Sequence, residues 1–202
     1  MVNATLGTLA GTILFLGYFP QIRTLYNSKR IDGVSILFWF FVAISVEITL
    51  HNLMLHGAVW YVSIPQLLNA LVALIILLWV TTKKKGWEYS LLIFTLYVIM
   101  TVGLPLISND FSQHIATISI IVAYLVQIYY LYKNKTAKGI NPLLFIFIGL
   151  ALLIMTVNIY TMTDYPLAAS TEITNMILVS IIVVMIYKYK KIMLDRNLLH
   201  VL

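Results

Sequence analysis

The chain states one pattern twice, the second copy 106 positions after the first with no insertion needed to keep them in step. Tyr18, Gln21, Ile22, Leu25, Tyr26, Lys29 and Gly33 return as Tyr124, Gln127, Ile128, Leu131, Tyr132, Lys135 and Gly139. Further on, Asn52 meets Asn158 and Asn69 meets Asn175. A unit copied in register should fold the same way twice, which restricts the chain to architectures built from two like halves.

What the halves are made of follows from their solvent. Of 202 residues, 61% are hydrophobic and only 10% charged, more apolar surface than a soluble domain of this length can hide. The apolar residues fall into seven stretches, roughly 4–27, 34–55, 59–81, 89–107, 111–132, 141–162 and 166–188. Each is near the ~20 residues that a helix rising 1.5 Å per residue needs to cross a bilayer. A barrel would show alternating segments of about ten residues, and there are none. The expected fold is an all-α membrane protein with seven transmembrane helices.

The net charge of +6 does not point to nucleic acid, because of where the charge lies. Arg23, Lys29 and Arg30 flank the first connection, and Lys83, Lys84 and Lys85 follow the third stretch. Lys133, Lys135 and Lys138 follow the fifth, and Lys188, Lys190, Lys191 and Arg196 form the tail. All of them fall on one side of a seven-span arrangement; the other side carries Asp110, Asp164 and a few histidines. The positive-inside rule then sets the N-terminus outside and the C-terminus in the cytoplasm.

The offset divides the chain into a three-helix unit at 1–82, a linking helix at 83–108, a second unit at 109–188 and a basic tail at 189–202. With an odd number of spans per unit, the linking helix gives both units the same orientation, related by an axis along the membrane normal. Leu104-Pro105 is expected to end the linking helix. Trp39 and Trp60, near span ends, are expected as interface anchors. There is no cysteine, hence no disulfide framework. The first stretch lacks a positive leader and is read as a span rather than a cleaved signal. Asn3-Ala4-Thr5 fits a glycosylation sequon on the outer face.

Gly17-Tyr18-Phe19-Pro20-Gln21 lies inside the first stretch. Pro20 removes a backbone donor and crowds the Leu16 carbonyl, so a kink near the cytoplasmic end is expected, as a hinge or as static packing. Pro20-Gln21, followed by Ile22, Leu25, Tyr26, Lys29 and Gly33-Val34-Ser35, resembles a PQ-loop motif; Tyr124-Leu125-Val126-Gln127 resembles a degenerate partner. The family resembled includes the SWEET sugar transporters, the half-size SemiSWEETs and cystinosin-like amino-acid exporters, and the fold is shared with the KDEL receptor. Val126 stands where the second proline would be, which implies a weaker second hinge around Gln127 and asymmetric motion. Asn141-Pro142 suits the first turn of the sixth helix instead.

Polar side chains at mid-membrane are costly and normally face a cavity or another helix. Gln66 and Asn69 share a face of span three, and Glu172 and Asn175 repeat that spacing on span seven. In the SWEET family, asparagines on these two spans bind the sugar. The resemblance therefore assigns substrate binding to Asn69 and Asn175, with Gln66 and Glu172 taking over if the register shifts by one turn. Helix-to-helix bonding is the structural alternative. Where SWEETs set aromatic plates on spans two and six, this chain offers Asn52 and Asn158 and no tryptophan at that depth. Glu47 and His51, four apart on span two, can meet on one face and form a proton-coupling candidate. The Tyr18, Tyr26, Tyr124 and Tyr132 set is expected to serve packing or the interface.

The functional expectation is a secondary transporter or facilitator moving a small polar solute, first a mono- or disaccharide, by alternating access about Pro20. The alternative is a proton-coupled carrier of an amino acid or other small zwitterion. From another class, a KDEL-receptor-like ligand receptor would want an arginine-bearing cavity, yet Arg23, Arg30 and Arg196 all lie at or beyond the cytoplasmic edge; a lipid scramblase is the remaining alternative. No Ser-His-Asp set, metal-ligand spacing or nucleotide loop is visible, so no catalytic residue, cofactor or metal is expected. The expected partners are a small polar solute and membrane lipid, not nucleic acid, with a homo-oligomer left open. The expected location is the plasma membrane of a bacterium, or an organelle membrane in a eukaryote.

Overall fold

The computed structural model describes the backbone of residues 2–162 and 166–199 and the side chains of 5–109, 111–159 and 171–192. The side chains of Asn3, Asp110 and Arg196, and the whole of Asp164, lie outside the described residues. The described chain is helical, without strands: α1 (Val2–Asn27), α2 (Ile36–Leu55), α3 (Trp60–Lys85), α4 (Trp87–Ile107), α5 (Asn109–Asn134), α6 (Pro142–Met162) and α7 (Pro166–Leu199). All seven contain a stretch long and apolar enough to cross a membrane.

The helices overrun the apolar stretches chiefly where lysines follow. α3 continues through Lys83, Lys84 and Lys85. A cation in a last turn favours the negative end of the helix dipole, and a lysine stem lies along apolar surface while its head reaches water. The expected stop at Pro105 is corrected: α4 passes through it to Ile107. The last turn is held by Ser108, whose N–H donates to the Leu104 carbonyl at 3.2 Å. The Ser108 hydroxyl then accepts from the Phe111 N–H at 3.3 Å, starting α5. The break is set by the helix cap, and the proline costs little so near the end.

Among the described residues the backbones of α1 and α2 do not approach closely; α3 packs against both. The second unit repeats this, with α7 between α5 and α6. The units join through α1 on α6 and α2 on α5, closing a six-helix ring in the order α1, α3, α2, α5, α7, α6. Helix α4 stands outside the ring against α2, α3 and α5, with most of its surface exposed. The α1–α2 and α5–α6 connections meet at one end, where the Gly33 N–H donates to the Lys138 carbonyl at 2.9 Å. Since each connection follows the first helix of its unit, α1 and α5 run the same way.

Near that basic end the ring is filled by aromatic residues from both units. The Phe38 ring lies 5.1 Å from Trp39, 5.6 Å from Phe145 and 6.2 Å from Tyr124, and Trp39 lies 6.1 Å from Tyr18. This corrects the reading of Trp39 as an interface anchor: it is 2% exposed. Its place along the sequence gave the depth correctly, but its side of α2 turns inward. Trp60, 72% exposed, is free of that constraint. Tyr18 and Tyr124 are buried in the core while Tyr26 and Tyr132 are exposed, so the repeated tyrosines divide by helix face. Between lipid-solvated helices such packing stabilises through dispersion and shape fit rather than exclusion of water.

Candidate functional site

Gln21 and Gln127 occupy equivalent places on α1 and α5, and both are 1% exposed. The Gln21 amide donates to the Gly139 carbonyl at 2.8 Å, and its oxygen accepts the Asn141 N–H at 2.8 Å. The Gln127 amide donates to the Gly33 carbonyl at 2.9 Å, and its oxygen accepts the Ser35 N–H at 3.2 Å. Every atom in one set has its copy in the other at the same offset. The connections can approach because Gly33 and Gly139 carry no side chain: a Cβ on Gly33 would fall 2.7 Å from the Thr136 carbonyl oxygen, and one on Gly139 2.8 Å from the Ile31 Cα. Ser35 and Asn141 also cap their helices, the Ser35 hydroxyl accepting from Phe38 N–H and the Asn141 carboxamide oxygen from Leu143 N–H.

Lysines from α3 complete this end. Lys83 donates to the carbonyls of Leu25 and Ser28, at the end of α1. Lys84 donates to the Val34 carbonyl in the first connection and to the Tyr130 hydroxyl on α5, so one side chain spans both units.

Pro20 does not break α1, which runs through it to Asn27. Its carbonyl accepts from the Thr24 hydroxyl at 2.9 Å and the Asn141 amide at 3.2 Å, tying this turn to the second unit. Gly17 is buried where α6 passes, and a Cβ there would stand 2.7 Å from that of Phe147. Its role here is close approach. Inside the aromatic layer a cavity of 40 Å³ is lined by matched pairs, Leu14 with Ile120, Tyr18 with Tyr124 and Val42 with Ile148. That is far below the roughly 300–1,000 Å³ of a typical small-molecule site, so this cavity has no room for a sugar.

Beyond the aromatic layer stand the repeated asparagines. Asn69 is fully buried and donates to the Gly11 carbonyl at 3.3 Å. Gly11 allows the approach, since a Cβ there would lie 3.0 Å from Pro65. Pro65 leaves the Tyr61 carbonyl without its helical donor, and the Thr8 hydroxyl supplies one at 3.0 Å. Asn52 donates to the Gln113 oxygen at 2.6 Å, joining α2 to α5. On the equivalent seam between α1 and α6, Gly7 stands where the other has Gln113, and the Asn158 amide lies 4.0 Å from where a Gly7 Cβ would be. Asn175 is 2% exposed, one helical turn after the partly buried Glu172.

The carboxamide oxygens of Asn52, Asn69 and Asn175 are buried and accept no hydrogen bond among the described residues. The Asn158 oxygen is buried likewise, in a residue that has contacts of its own. A stranded buried acceptor costs about 1–3 kcal/mol, so each of these oxygens would gain from a donor, whether water or solute.

The remaining polar residues divide. Gln66 donates to the Val46 carbonyl at 3.1 Å, a bond between α3 and α2. Glu47 does not meet His51: it accepts from the Tyr97 hydroxyl of α4 at 3.2 Å, His51 is exposed, and no ion pair joins them among the described residues. The spacing permits the meeting, but in the structure the carboxylate accepts from the outer helix instead. Sequence reading missed Thr8, Gly11, Gln113 and Lys84. The only available signal for Thr8 and Gly11 was their place one helix away from Pro65 and Asn69, which no periodicity reveals.

Residues 2–49 match the family model described as the PQ loop repeat. No curated protein and no solved structure matches the chain.

Proposed function

We propose, from membership of the PQ-loop superfamily, which the matched repeat and the seven helices together support, that this chain is a secondary transporter or facilitator for a small polar solute. Members of that family are membrane transporters or receptors rather than enzymes. The solute is a mono- or disaccharide, held near mid-membrane between the three-helix units. The observation that carries the reading is the set of buried amide oxygens on Asn52, Asn69 and Asn175, which hydroxyl groups would satisfy. With the N-terminus outside, the closed end is the cytoplasmic one. Alternating access then consists of parting the two connections held by Gln21 and Gln127 while the opposite end shuts.

A peptide receptor of the KDEL type gains no support, since Arg23 and Arg30, the arginines with described side chains, are exposed at the basic end. The test is uptake of labelled glucose and sucrose into liposomes holding the purified full chain. Wild type should take up at least one, and Asn69→Ala and Asn175→Ala should each lower that uptake about tenfold, the loss of one good hydrogen bond. Movement of fluorescent lipid without movement of solute would replace this reading with a scramblase.

A further inference from the structure

The two halves of the candidate site differ in one charge. Glu172 stands at the copy of Gln66, and both lie three residues before their asparagine. Gln66 has an evident structural task, donating its amide to the Val46 carbonyl across to α2. A carboxylate has no N–H and cannot do the same. Glu172 instead sits partly buried one helical turn before Asn175, whose carboxamide oxygen is an orphaned acceptor. It forms no ion pair among the described residues, whose lysines and arginines all sit at the basic end. A carboxyl group inside a membrane protein is normally protonated, paired or functional, and when Glu172 is ionised its counter-charge comes from a mobile species.

We propose that Glu172 is a specificity determinant that receives an ammonium group, and that the solute is a hydroxyl-rich amine, an amino sugar being the simplest case. The inference rests on the transport reading given above. The amide oxygens of Asn69 and Asn175 then accept from hydroxyls, while Glu172 supplies the one full charge.

Glucosamine and glucose share a ring and differ by the amine, so the pair isolates the charge. Labelled forms of both are offered to liposomes holding the purified full chain, at a pH where the amine is protonated. Wild type should favour glucosamine about tenfold, the scale of one charge-assisted bond. Glu172→Gln, which makes the two halves alike, should bring glucosamine uptake down to that of glucose in the same variant and so abolish the preference, and Glu172→Asp should keep part of it. Equal uptake of both sugars by wild type, or the same loss for both in Glu172→Gln, overturns the assignment while leaving transport intact. So does glucose uptake driven by a pH gradient and lost in Glu172→Gln, which would make Glu172 a proton carrier. Uptake of neither solute removes the transport reading and this one with it.

Discussion

Gln21 and Gln127 each hold the connection of the other unit: one binds Gly139 and Asn141, the other Gly33 and Ser35, through four hydrogen bonds of 2.8 to 3.2 Å. Each glutamine satisfies one backbone donor and one backbone acceptor in loops that no sheet or helix serves. The exchange is symmetric although the proline beside it is not, since Pro20 has Val126 as its counterpart. Closure of the basic end therefore depends on both glutamines alike.

Replacing either one strands a buried carbonyl and a buried N–H, at roughly 1–3 kcal/mol each. Gln21→Ala and Gln127→Ala should lower the melting temperature by similar amounts. Spin labels at the exposed positions Lys29 and Lys135 should report a longer separation in both variants. A large effect from Gln21→Ala with none from Gln127→Ala would mean that the proline side alone governs this end.

The glycines below the glutamines give a graded series. Gly33→Ala places a methyl 2.7 Å from a backbone oxygen, and Gly139→Ala does the same 2.8 Å from Ile31 at a φ of 84°. Overpacking costs about 1–3 kcal/mol, and the left-handed backbone adds roughly 1–2 more. Gly139→Ala should thus be the more damaging by thermal melting. Gly103→Ala in α4, where no atom lies within 4 Å, should be neutral or slightly stabilising. Equal losses at all three positions would show that approach of the loops does not set the cost.

The spans, the loop motif and the partnered asparagines were legible because each rests on composition or on the offset, and both are properties of the chain alone. The ring order was not, since nothing local records that α3 inserts between α1 and α2. Trp39 shows the same limit on a smaller scale: its depth follows from the count of residues, its facing from neighbours far along the chain. Glu47 and His51 mark a third kind of failure. An i, i+4 pair is a permitted contact, and Tyr97, 50 residues away, competes for it successfully.

Thr8 and Pro65 form a pair that a double-mutant cycle can resolve. Thr8→Val removes the hydroxyl that serves the Tyr61 carbonyl, which Pro65 deprives of its helical donor. The single variant should lose about 1–2 kcal/mol. In a Pro65→Ala background the restored N–H reclaims the Tyr61 carbonyl, so the same Thr8→Val change should cost little. The check is denaturation of all four proteins in one detergent; additive losses would show that the hydroxyl serves something other than the proline gap.

Glu47 reaches outward from the ring to Tyr97 on α4, away from the buried asparagines. A carboxylate so placed ties the outer helix to α2. Tyr97→Phe should lower stability by about 1 kcal/mol through loss of one hydrogen bond. Glu47→Gln keeps an oxygen that accepts from Tyr97 and should melt near wild type. Uptake by Glu47→Gln should match wild type with or without an imposed pH gradient. If instead a gradient drives accumulation in wild type and the drive vanishes in Glu47→Gln, then Glu47 carries the proton and its bond to α4 is part of the transport cycle.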